Sequence, residues 1–415
     1  MIKRAFKLIF KFLVTIILFA ITSYFAFLGW EYLSGGKYVE YLMSNSEIVN
    51  LEESFTFSLA EQDIENSKVI MVGEIHGSEQ PNIFDFDFFK YLHQNHGVQH
   101  YFAELDFVQA TLLNRFLISG DEELLNKILK KWVVIQGRNN QSYIDKYQKF
   151  YKYYQRLPED DKFTFIGIDR IQDFKLLTDY LHEFKTDTPL NTINSQDENL
   201  RSALMQRLEV LSNYYQKNTD TLYLLNHLKE NLAFIELKTN RELILFNNFQ
   251  KLYKEKQLSS KKVYAFFGIY HVFQYKVNGA LPLAAQIRLS NLGLDHKILS
   301  FNFLLNDSYM VMSSQGLPEF LRDKGKYTKM AISADNMLVM YIYGIKDFKR
   351  MTPKFHKSLI KLNEPNSPYE NSNRMSTTFQ LLPVTDLFEM NEKGKPYVQY
   401  TIFVRNSDWA QPKKP

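Results

Sequence analysis

The sequence predicts an α/β fold with a mainly parallel central sheet, helices on both of its faces, an N-terminal transmembrane helix and a β-rich C-terminal extension. Three observations support this prediction: an apolar run near the N-terminus, five short strand-like runs between helix-length spacers, and a change of pattern after residue 305. Strands that alternate with helices are typical of βαβ units, whose parallel strands are covered on both faces. The predicted segments are therefore 1–36 as a cytoplasmic basic stub and anchor, 37–305 as an α/β catalytic domain, and 306–415 as the extension.

The N-terminal segment has the composition of a membrane anchor. A basic cluster precedes an apolar run from Phe12 to Trp30, which is long enough to cross the hydrocarbon of a bilayer as a helix. Because the basic residues flank one side only, the positive-inside rule places the N-terminus in the cytoplasm and the later residues on the extracytoplasmic (periplasmic) side. The residues of this cluster are Lys3, Arg4, Lys7 and Lys11.

A cleaved signal peptide is the alternative interpretation of this segment. The apolar run is longer than the hydrophobic region of a usual signal peptide, and Glu31-Tyr32-Leu33 offers no clear small-x-small cleavage site. The sequence therefore favours a single-pass anchor over a removed signal.

Composition limits the chemistry that the chain can perform. The 415 residues contain 50 Lys and Arg against 46 Asp and Glu, and they contain no cysteine. A dispersed net charge of +4 does not predict a nucleic-acid partner. The missing cysteines exclude a disulfide scaffold, a thiolate nucleophile and any Cys-based metal site. A metal ion, if one is used, must be held by His, Asp or Glu.

Regular elements can be assigned from hydrophobic pattern. The predicted strands of the central sheet are Lys68–Val72, Val98–Ala103, Phe163–Ile168, Lys262–Phe267 and Lys297–Leu304. The predicted helices include one that stops at Gly97, followed by Phe107–Ile118, Ser142–Arg156, Phe174–Phe184, Leu200–Tyr215 and Asp220–Tyr253 with breaks. The predicted strands of the extension are Tyr309–Met312, Asn336–Tyr343, Thr377–Leu382 and Tyr397–Val404. We expect Met310 and Met312 to lie in a core and assign no chemistry to the extension.

Four successive strands of the predicted sheet each end at an acid or a histidine. These residues are Glu74 with His76, Glu104, Asp169 and His271. Any one of them alone is commonly a helix cap or a core residue. Four in succession meet at the carboxyl edge of a parallel sheet, which is where ligands bind. The pattern Gly-x-x-His also occurs twice, at Gly73–His76 and Gly268–His271, and the sequence therefore predicts a site at this edge.

The chain resembles the erythromycin esterase-like superfamily, which also includes haem-uptake lipoproteins of the ChaN-like type and membrane-anchored metalloproteases with paired Gly-x-x-His motifs. Gly73-Glu74-Ile75-His76-Gly77 is similar to the family's Gly-Glu-x-x-His-Gly signature, with one residue fewer between Glu and His. Tyr101–Glu104 and Phe165–Asp169 resemble its second and third strands. The shortened spacing is closer to the haem-uptake and metalloprotease branches.

The rest of the resemblance follows in the same order along the chain and covers roughly residues 66 to 305. Arg241 and Asn248 lie on a predicted helix in which the family keeps Arg and Asn, and Tyr270-His271-Val272 is similar to its Ala-His-Val segment. A closing helix and strand, Leu283–Leu292 and Lys297–Phe301, complete it. In the esterase branch the resemblance implies hydrolysis of a lactone or another carboxylic ester without a metal.

The favoured mechanism is a hydrolase that activates water. Glu74 and His76 are two residues apart on one loop, so one of them can act as general base while the other orients the water or protonates the leaving group. Glu104 and Asp169 are expected to hold the imidazoles in the required tautomer. Arg241, Asn248 and Tyr270 are the predicted substrate-binding residues, with Arg241 at an oxyanion or a substrate carboxylate. The substrate is expected to be a small molecule or a peptide.

Two other classes stay open at this point. In the metal-dependent variant, His76, His271 and a carboxylate such as Glu74 hold a divalent ion that activates the water, as the related proteases imply. In the binding variant, the chain captures haem or another small ligand, with Tyr270 or His271 as an axial ligand. An exported structural domain without activity is the remaining alternative.

Overall fold

In the computed structural model of the protein, residues 2–49, 57–130, 140–186, 199–315, 317–382, 388–389, 392 and 395–412 are described. The helices are α1 Ile2–Ser34, α2 Gly36–Ser44, α3 Glu61–Asn66, α4 Glu79–His96, α5 Phe107–Ser119, α6 Glu122–Leu129, α7 Gln141–Tyr154, α8 Phe174–Leu181, α9 Leu200–Tyr214, α10 Thr219–Glu236, α11 Arg241–Glu255, α12 Leu283–Leu289 and α13 Ile345–Met351. The strands are β1 Ser46–Ile48, β2 Val69–Glu74, β3 His100–Asp106, β4 Thr164–Asp169, β5 Val263–Gly268, β6 Ile298–Asn306, β7 Ser308–Ser313, β8 Tyr327–Ile332, β9 Asp335–Asn336, β10 Met340–Ile342, β11 Lys357–Lys361, β12 Thr378–Phe379 and β13 Tyr400–Arg405.

The central element is a mostly parallel sheet with the strand order β1-β11-β13-β6-β2-β5-β3-β4. The strands from β13 to β4 run parallel to one another, whereas β11 is antiparallel to β13 and β1 is antiparallel to β11. The predicted fold class is confirmed. The five strands predicted from the sequence are β2 to β6, which form the continuous parallel run from β6 to the edge strand β4. Each observed strand begins close to the residue where the predicted apolar run begins.

The inner strands have the composition of strands that are covered on both faces. All six residues of β2 and all six of β5 are buried. Successive side chains of a strand point to opposite faces. Ile70 and Val72 therefore pack into the hydrophobic cluster on one face, while Val69 and Met71 pack into the cluster on the other. A parallel sheet needs such continuous apolar runs, since helices shield it from water on both sides.

The C-terminal extension contributes to the central sheet as well as forming smaller sheets. Strand β13 lies between β6 and β11, and β11 in turn pairs with β1 from the segment after the N-terminal helix. Strands β7 and β8 pair with each other, and β12, β10 and β9 form a third sheet. The region predicted as one strand, Asn336–Tyr343, contains the end of β9, a turn over 337–339 and the whole of β10. Strand β11 was not predicted because its sequence, KSLIK, has too few apolar residues to show a period.

Helix α1 is long and apolar enough to cross a membrane by length and composition, over Phe6–Ser34. The apolar window that defines this candidate span is not buried inside the protein. The C-terminal end of α1 is not exposed in the same way, because Glu31 there is buried against the extension. The sequence-based prediction of an N-terminal helix of membrane-spanning length is therefore confirmed, and the end of that helix is joined to the folded domain.

Because β13 is an interior strand, its core side chains should contribute to the stability of the whole sheet. The Phe403 side chain is fully buried and its ring lies 5.6 Å from that of Phe348. We expect Phe403→Ala to lower the free energy of unfolding by about 3–5 kcal/mol through lost burial and the cavity left behind. The measurement is urea unfolding of the purified full chain in detergent, followed by circular dichroism.

The matched control is Phe320→Ala, because the Phe320 side chain is 85% exposed. It should change the free energy of unfolding by no more than about 0.5 kcal/mol. Equal losses for the two variants would contradict the position of β13 inside the sheet.

Candidate functional site

A crevice of about 520 Å³ lies at the carboxyl edge of the central sheet. The ends of β2, β3 and β5 contribute to it, together with the first turn of α11 and one face of β7. The residues that line it are Glu74, Ile75, His76, Glu104, Arg241, Glu242, Gly268, Ile269, Tyr270, His271, Met310, Val311, Met312 and Ser313. The structure therefore brings most of the predicted site residues together at the predicted edge.

The two Gly-x-x-His motifs are neighbours because β2 and β5 are paired. In this parallel pair Glu74 is opposite Gly268, so the loops that carry His76 and His271 leave the sheet side by side. Glycine at position 73 permits this packing. A Cβ atom there would lie 2.5 Å from Val272 Cγ2 and 2.9 Å from Ile269 Cα, both in the turn that follows β5. Any side chain at position 73 would therefore collide with the turn that follows β5.

His76 is oriented by Glu74. The imidazole Nδ1 lies 2.9 Å from Glu74 Oε1, and the Tyr143 hydroxyl donates to the same oxygen at 2.5 Å. Because a carboxylate only accepts hydrogen bonds, Nδ1 carries the proton and the lone pair of the neutral ring is on Nε2. Glu74 is buried, whereas the His76 side chain is 19% exposed and lines the crevice. This is the tautomer that accepts a proton from water.

A buried cluster below the crevice holds Tyr143 in place. Lys146, one turn along α7, lies with its ammonium 4.4 Å from the Tyr143 ring centroid and 2.8 Å from Asp85 Oδ2. The hydroxyls of Tyr101 and Tyr264 also donate to Asp85. Burial raises the pKa of Asp85, and Lys146 together with the two hydroxyls opposes that rise. Every polar atom of this cluster has a partner, so α7 is fixed against the sheet.

Arg241 links the ends of β3 and β4. Its Nη2 donates to Glu104 Oε1 at 2.6 Å and to Asp169 Oδ2 at 2.5 Å, and its Nε donates to Asp169 Oδ1. Burial alone would lower the pKa of Arg241, but Asp169 and Glu104 raise it well above its usual value. The other oxygen of Glu104 accepts the backbone N–H of Gly268 at 2.6 Å. Glu104 is thereby held from β5 and from α11 at once.

His271 is buried and lies between two carboxylates. Its Nδ1 is 2.7 Å from Glu242 Oε1, and its Nε2 is 3.8 Å from Glu104 Oε1. Burial would lower the pKa of His271, but the charges of Glu242 and Glu104 outweigh burial and raise it. Glu242 is fixed in turn, because its second oxygen accepts the backbone N–H of Leu283 at 2.8 Å. His271 is thus biased towards the protonated form.

The partners of the two imidazoles differ in part from those predicted, since only Glu104 of the predicted pair lies near an imidazole, 3.8 Å from Nε2 of His271. The sequence assigned Glu104 and Asp169 to this task, whereas Glu74 contacts Nδ1 of His76 and Glu242 contacts Nδ1 of His271. Asp169 is not among the residues that line the crevice. Its carboxylate instead accepts hydrogen bonds from Arg241, which does line the crevice.

The predicted substrate-binding residues fall in different places. Tyr270 lines the crevice. Asn248 is buried, with its amide donating to Ile168 O at 2.9 Å and to Asn231 at 2.8 Å, and it is not part of the crevice lining. It fastens α11 to β4 and α10.

Three contributions to the site were missed by sequence reasoning. Glu242 follows Arg241 directly in the first turn of α11, so the prediction for Arg241 could have extended to it. Tyr143 comes from the middle of the chain and carries no local signal. Met310 and Met312, expected in a core, line the crevice from β7, which is held there by the bond from Val311 N to Gly77 O at 2.8 Å.

Within the part of the chain that the structure describes, no group of three or more His, Asp or Glu side chains is arranged to hold a metal. Each ring nitrogen of His271 already has a carboxylate neighbour, Glu242 at Nδ1 and Glu104 at Nε2, and the side chain is 7% exposed. The Tyr270 hydroxyl is engaged with the carbonyl of Val277. The predicted metal set of His76, His271 and Glu74 stays a prediction.

Comparison with solved structures shows which fold this is. A Bacillus cereus protein matches with a TM-score of 0.61 at 13% identity, over 91% of this chain and 99% of that one. A succinoglycan biosynthesis protein matches with a TM-score of 0.61 at 14% identity, over 90% and 97%. A mutant of the erythromycin esterase EreC in its open conformation matches with a TM-score of 0.55 at 12% identity, over 87% and 98%. At such identities the likeness shows a shared fold alone. No family model and no curated protein matches the sequence.

The raised pKa of His271 depends on Glu242 and can be tested by substitution. In Glu242→Gln we expect the pKa of His271 to fall, because burial and Arg241, which both lower it, are then opposed by Glu104 alone. The measurement is an NMR titration of the full chain labelled at its histidines. The control is Asp295→Asn, whose carboxylate is exposed beside His296 and should leave the His271 titration unchanged.

The same pKa shift predicts a pH dependence of stability. Since the pKa in the folded state is raised, His271 contributes stability that is complete below the unfolded value of 6.5 and is lost as pH rises through the folded value. Glu242→Gln should reduce this loss. If the slope of the unfolding free energy against pH is the same in Glu242→Gln as in the wild type, His271 is not the source of this pH dependence.

Proposed function

We propose that the protein is a hydrolase that activates water with the Glu74–His76 pair and cleaves a carboxylic ester, a lactone or an amide. The observation that carries the proposal is the contact of His76 Nδ1 with Glu74 Oε1 at 2.9 Å in a crevice. It gives a general base whose tautomer is fixed by a buried carboxylate, as in hydrolytic triads. The fold shared with an erythromycin esterase is consistent with this chemistry.

The proposed step begins with water beside His76. Nε2 takes a proton from the water as its oxygen bonds to the substrate carbonyl carbon, and Glu74 stabilises the imidazolium that forms. The bond between the carbonyl carbon and the leaving oxygen or nitrogen then breaks. His271, whose pKa is raised, supplies the proton that the leaving atom needs. The proton held by His76 finally returns to solvent, and His271 is reprotonated.

The hydrogen bonds around the crevice favour His271 over Arg241 as the group that meets developing negative charge. Arg241 donates from Nη2 and Nε to Glu104 and Asp169, whereas Nε2 of His271 lies beyond hydrogen-bond distance of Glu104. The Nε2 atom of protonated His271 lies 3.8 Å from Glu104 Oε1, and His271 lines the crevice. We therefore assign Arg241 chiefly to positioning Glu104 beside Gly268 and His271.

We also propose that α1 is retained as a membrane anchor, with the later residues on the extracytoplasmic side. Glu31, at the end of α1, is fully buried, accepts the hydroxyl of Tyr341, and accepts the backbone N–H of Gly344 at 2.7 Å. Arg374 donates to Glu31 O at 2.9 Å and to Ser34 Oγ at 2.7 Å. Removal of α1 would leave these buried groups without partners, which favours an anchor over a cleaved signal.

The hydrolase proposal predicts strong losses from two substitutions. In a panel of soluble esters, lactones and amides, Glu74→Gln and His76→Ala should each lower kcat at least about a hundredfold, because general-base catalysis contributes that much or more. The measurement is the rate of hydrolysis by the purified full chain in detergent, with and without a chelator.

The matched control is His296→Ala, since the His296 side chain is 92% exposed and lies outside the crevice lining. It should keep the wild-type rate. Equal rates in all four proteins would refute the assignment of the pair. Loss of activity with chelator and its return with a divalent ion would replace the mechanism by the metal-dependent variant.

The anchor proposal predicts the mass and orientation of the cellular protein. The full chain purified from membranes should retain residues 2–34 in its intact mass. A C-terminal tag should be digested by protease added outside spheroplasts. A mature chain that begins after residue 34 would contradict retention, and a tag protected until the membrane is opened would contradict the orientation.

A further inference from the structure

A second cavity, of about 340 Å³, lies next to the crevice. Its lining is largely apolar, and we call it the methionine cavity after the five methionines that contribute to it. These are Met310, Met312, Met330, Met340 and Met375. Methionine side chains are unbranched and flexible, so they fill irregular space and adapt to apolar ligands of different length.

Three of the polar side chains that line the methionine cavity are bonded within the protein. The Thr401 hydroxyl donates to Asn302 Oδ1 at 2.8 Å, and the Ser333 hydroxyl donates to Asp335 Oδ1 at 2.7 Å. Arg374 forms an ion pair with Asp347 at 2.6 Å. A ligand therefore meets mainly apolar surface there.

The methionine cavity and the crevice share a wall. Ile75, Ile269, Met310 and Met312 line both. Ile75 stands between Glu74 and His76 in the sequence, and Ile269 directly follows Gly268. The methionine cavity therefore adjoins the Glu74–His76 pair across these side chains.

The opposite side of the methionine cavity is built on the end of α1. Met340 and Ile342 of β10 line the cavity, and Tyr341 between them packs against Phe27 of α1 with ring centroids 5.9 Å apart. Phe379 of β12 also packs on Phe27 at 5.6 Å. The apolar helix thus ends against the strand that forms the cavity wall, which puts the methionine cavity close to the bilayer surface if α1 spans the membrane.

We propose that the methionine cavity holds the linear acyl chain of an amphiphilic substrate whose ester or amide group is cleaved in the crevice. The proposal rests on the proposed hydrolase function and names its substrate class. Three observations carry it together: the apolar flexible lining, the wall shared with the Glu74–His76 pair, and the contact with the end of α1. A polar or highly charged substrate would leave this surface unused.

Burial of an acyl chain predicts how much kcat/KM should rise as the chain of the substrate is lengthened. Each buried methylene can improve kcat/KM by up to about fourfold, so an octanoyl ester should exceed an acetyl ester of the same leaving group by at least about tenfold. The substrates are 4-nitrophenyl acetate, butyrate, hexanoate and octanoate. The protein is the full chain in nanodiscs of an ether-linked lipid, which presents no ester of its own.

Met340→Trp tests the methionine cavity, because a larger side chain occupies part of its volume. We expect the ratio of kcat/KM for octanoate over acetate to fall at least about fivefold, since an overfilled site loses the burial of several methylenes. The matched control is Leu338→Trp in the turn that precedes β10. The Leu338 side chain is 53% exposed and lines neither the crevice nor the methionine cavity. Its ratio should equal that of the wild type.

A binding measurement separates this proposal from the hydrolase proposal. Dodecanoate should displace a fluorescent fatty-acid probe from Glu74→Gln, in which hydrolysis is disabled, and should displace it at least about tenfold less well when Met340→Trp is added. If no ester is cleaved but this displacement is seen, the hydrolase function fails and the acyl-chain cavity stands. If esters are cleaved with no dependence on chain length, or Leu338→Trp changes the ratio as much as Met340→Trp does, the acyl-chain cavity is overturned and the hydrolase function stands.

Discussion

The ends of β3 and β4 bring two carboxylates, Glu104 and Asp169, to the same edge of the sheet, and the guanidinium of Arg241 lies between them. Both acids are buried, so without this cation their repulsion would remain largely unscreened. Breaking such a buried arrangement by removing one partner typically costs about 3–5 kcal/mol. Through Glu104 the same cation also fixes Gly268 and the surroundings of His271, and the rest of the crevice depends on it.

The two Gly-x-x-His motifs are assigned different tasks in the proposed mechanism because their surroundings differ. His76 is 19% exposed and receives one buried carboxylate, an arrangement suited to a base that must meet water. His271 is 7% exposed and faces two carboxylates, which suits a group that stays protonated. The similarity of the two motifs in sequence hides this difference.

The sequence predicted the sheet and most of the residues that meet at its carboxyl edge, because both follow from local patterns in the sequence. Buried parallel strands need continuous apolar runs, and the residue that ends each run is easy to read. It did not predict Glu242 and Tyr143, since these reach the crevice from helices whose position relative to the sheet is set by packing. It also missed the role of Met310 and Met312. Their side chains are apolar, as in a core, and only the placement of β7 against Gly77 turns them towards the crevice.

A crystal structure of the full chain with a non-cleavable alkylphosphonate, which imitates the tetrahedral intermediate of ester hydrolysis, would show directly where a substrate binds. We expect the phosphonate in the crevice within hydrogen-bond distance of His76 Nε2, with His271 on its other side and the alkyl chain in the methionine cavity. A phosphonate bound away from the Glu74–His76 pair would contradict the proposed water-activating site. An alkyl chain directed into solvent would contradict the proposed substrate class.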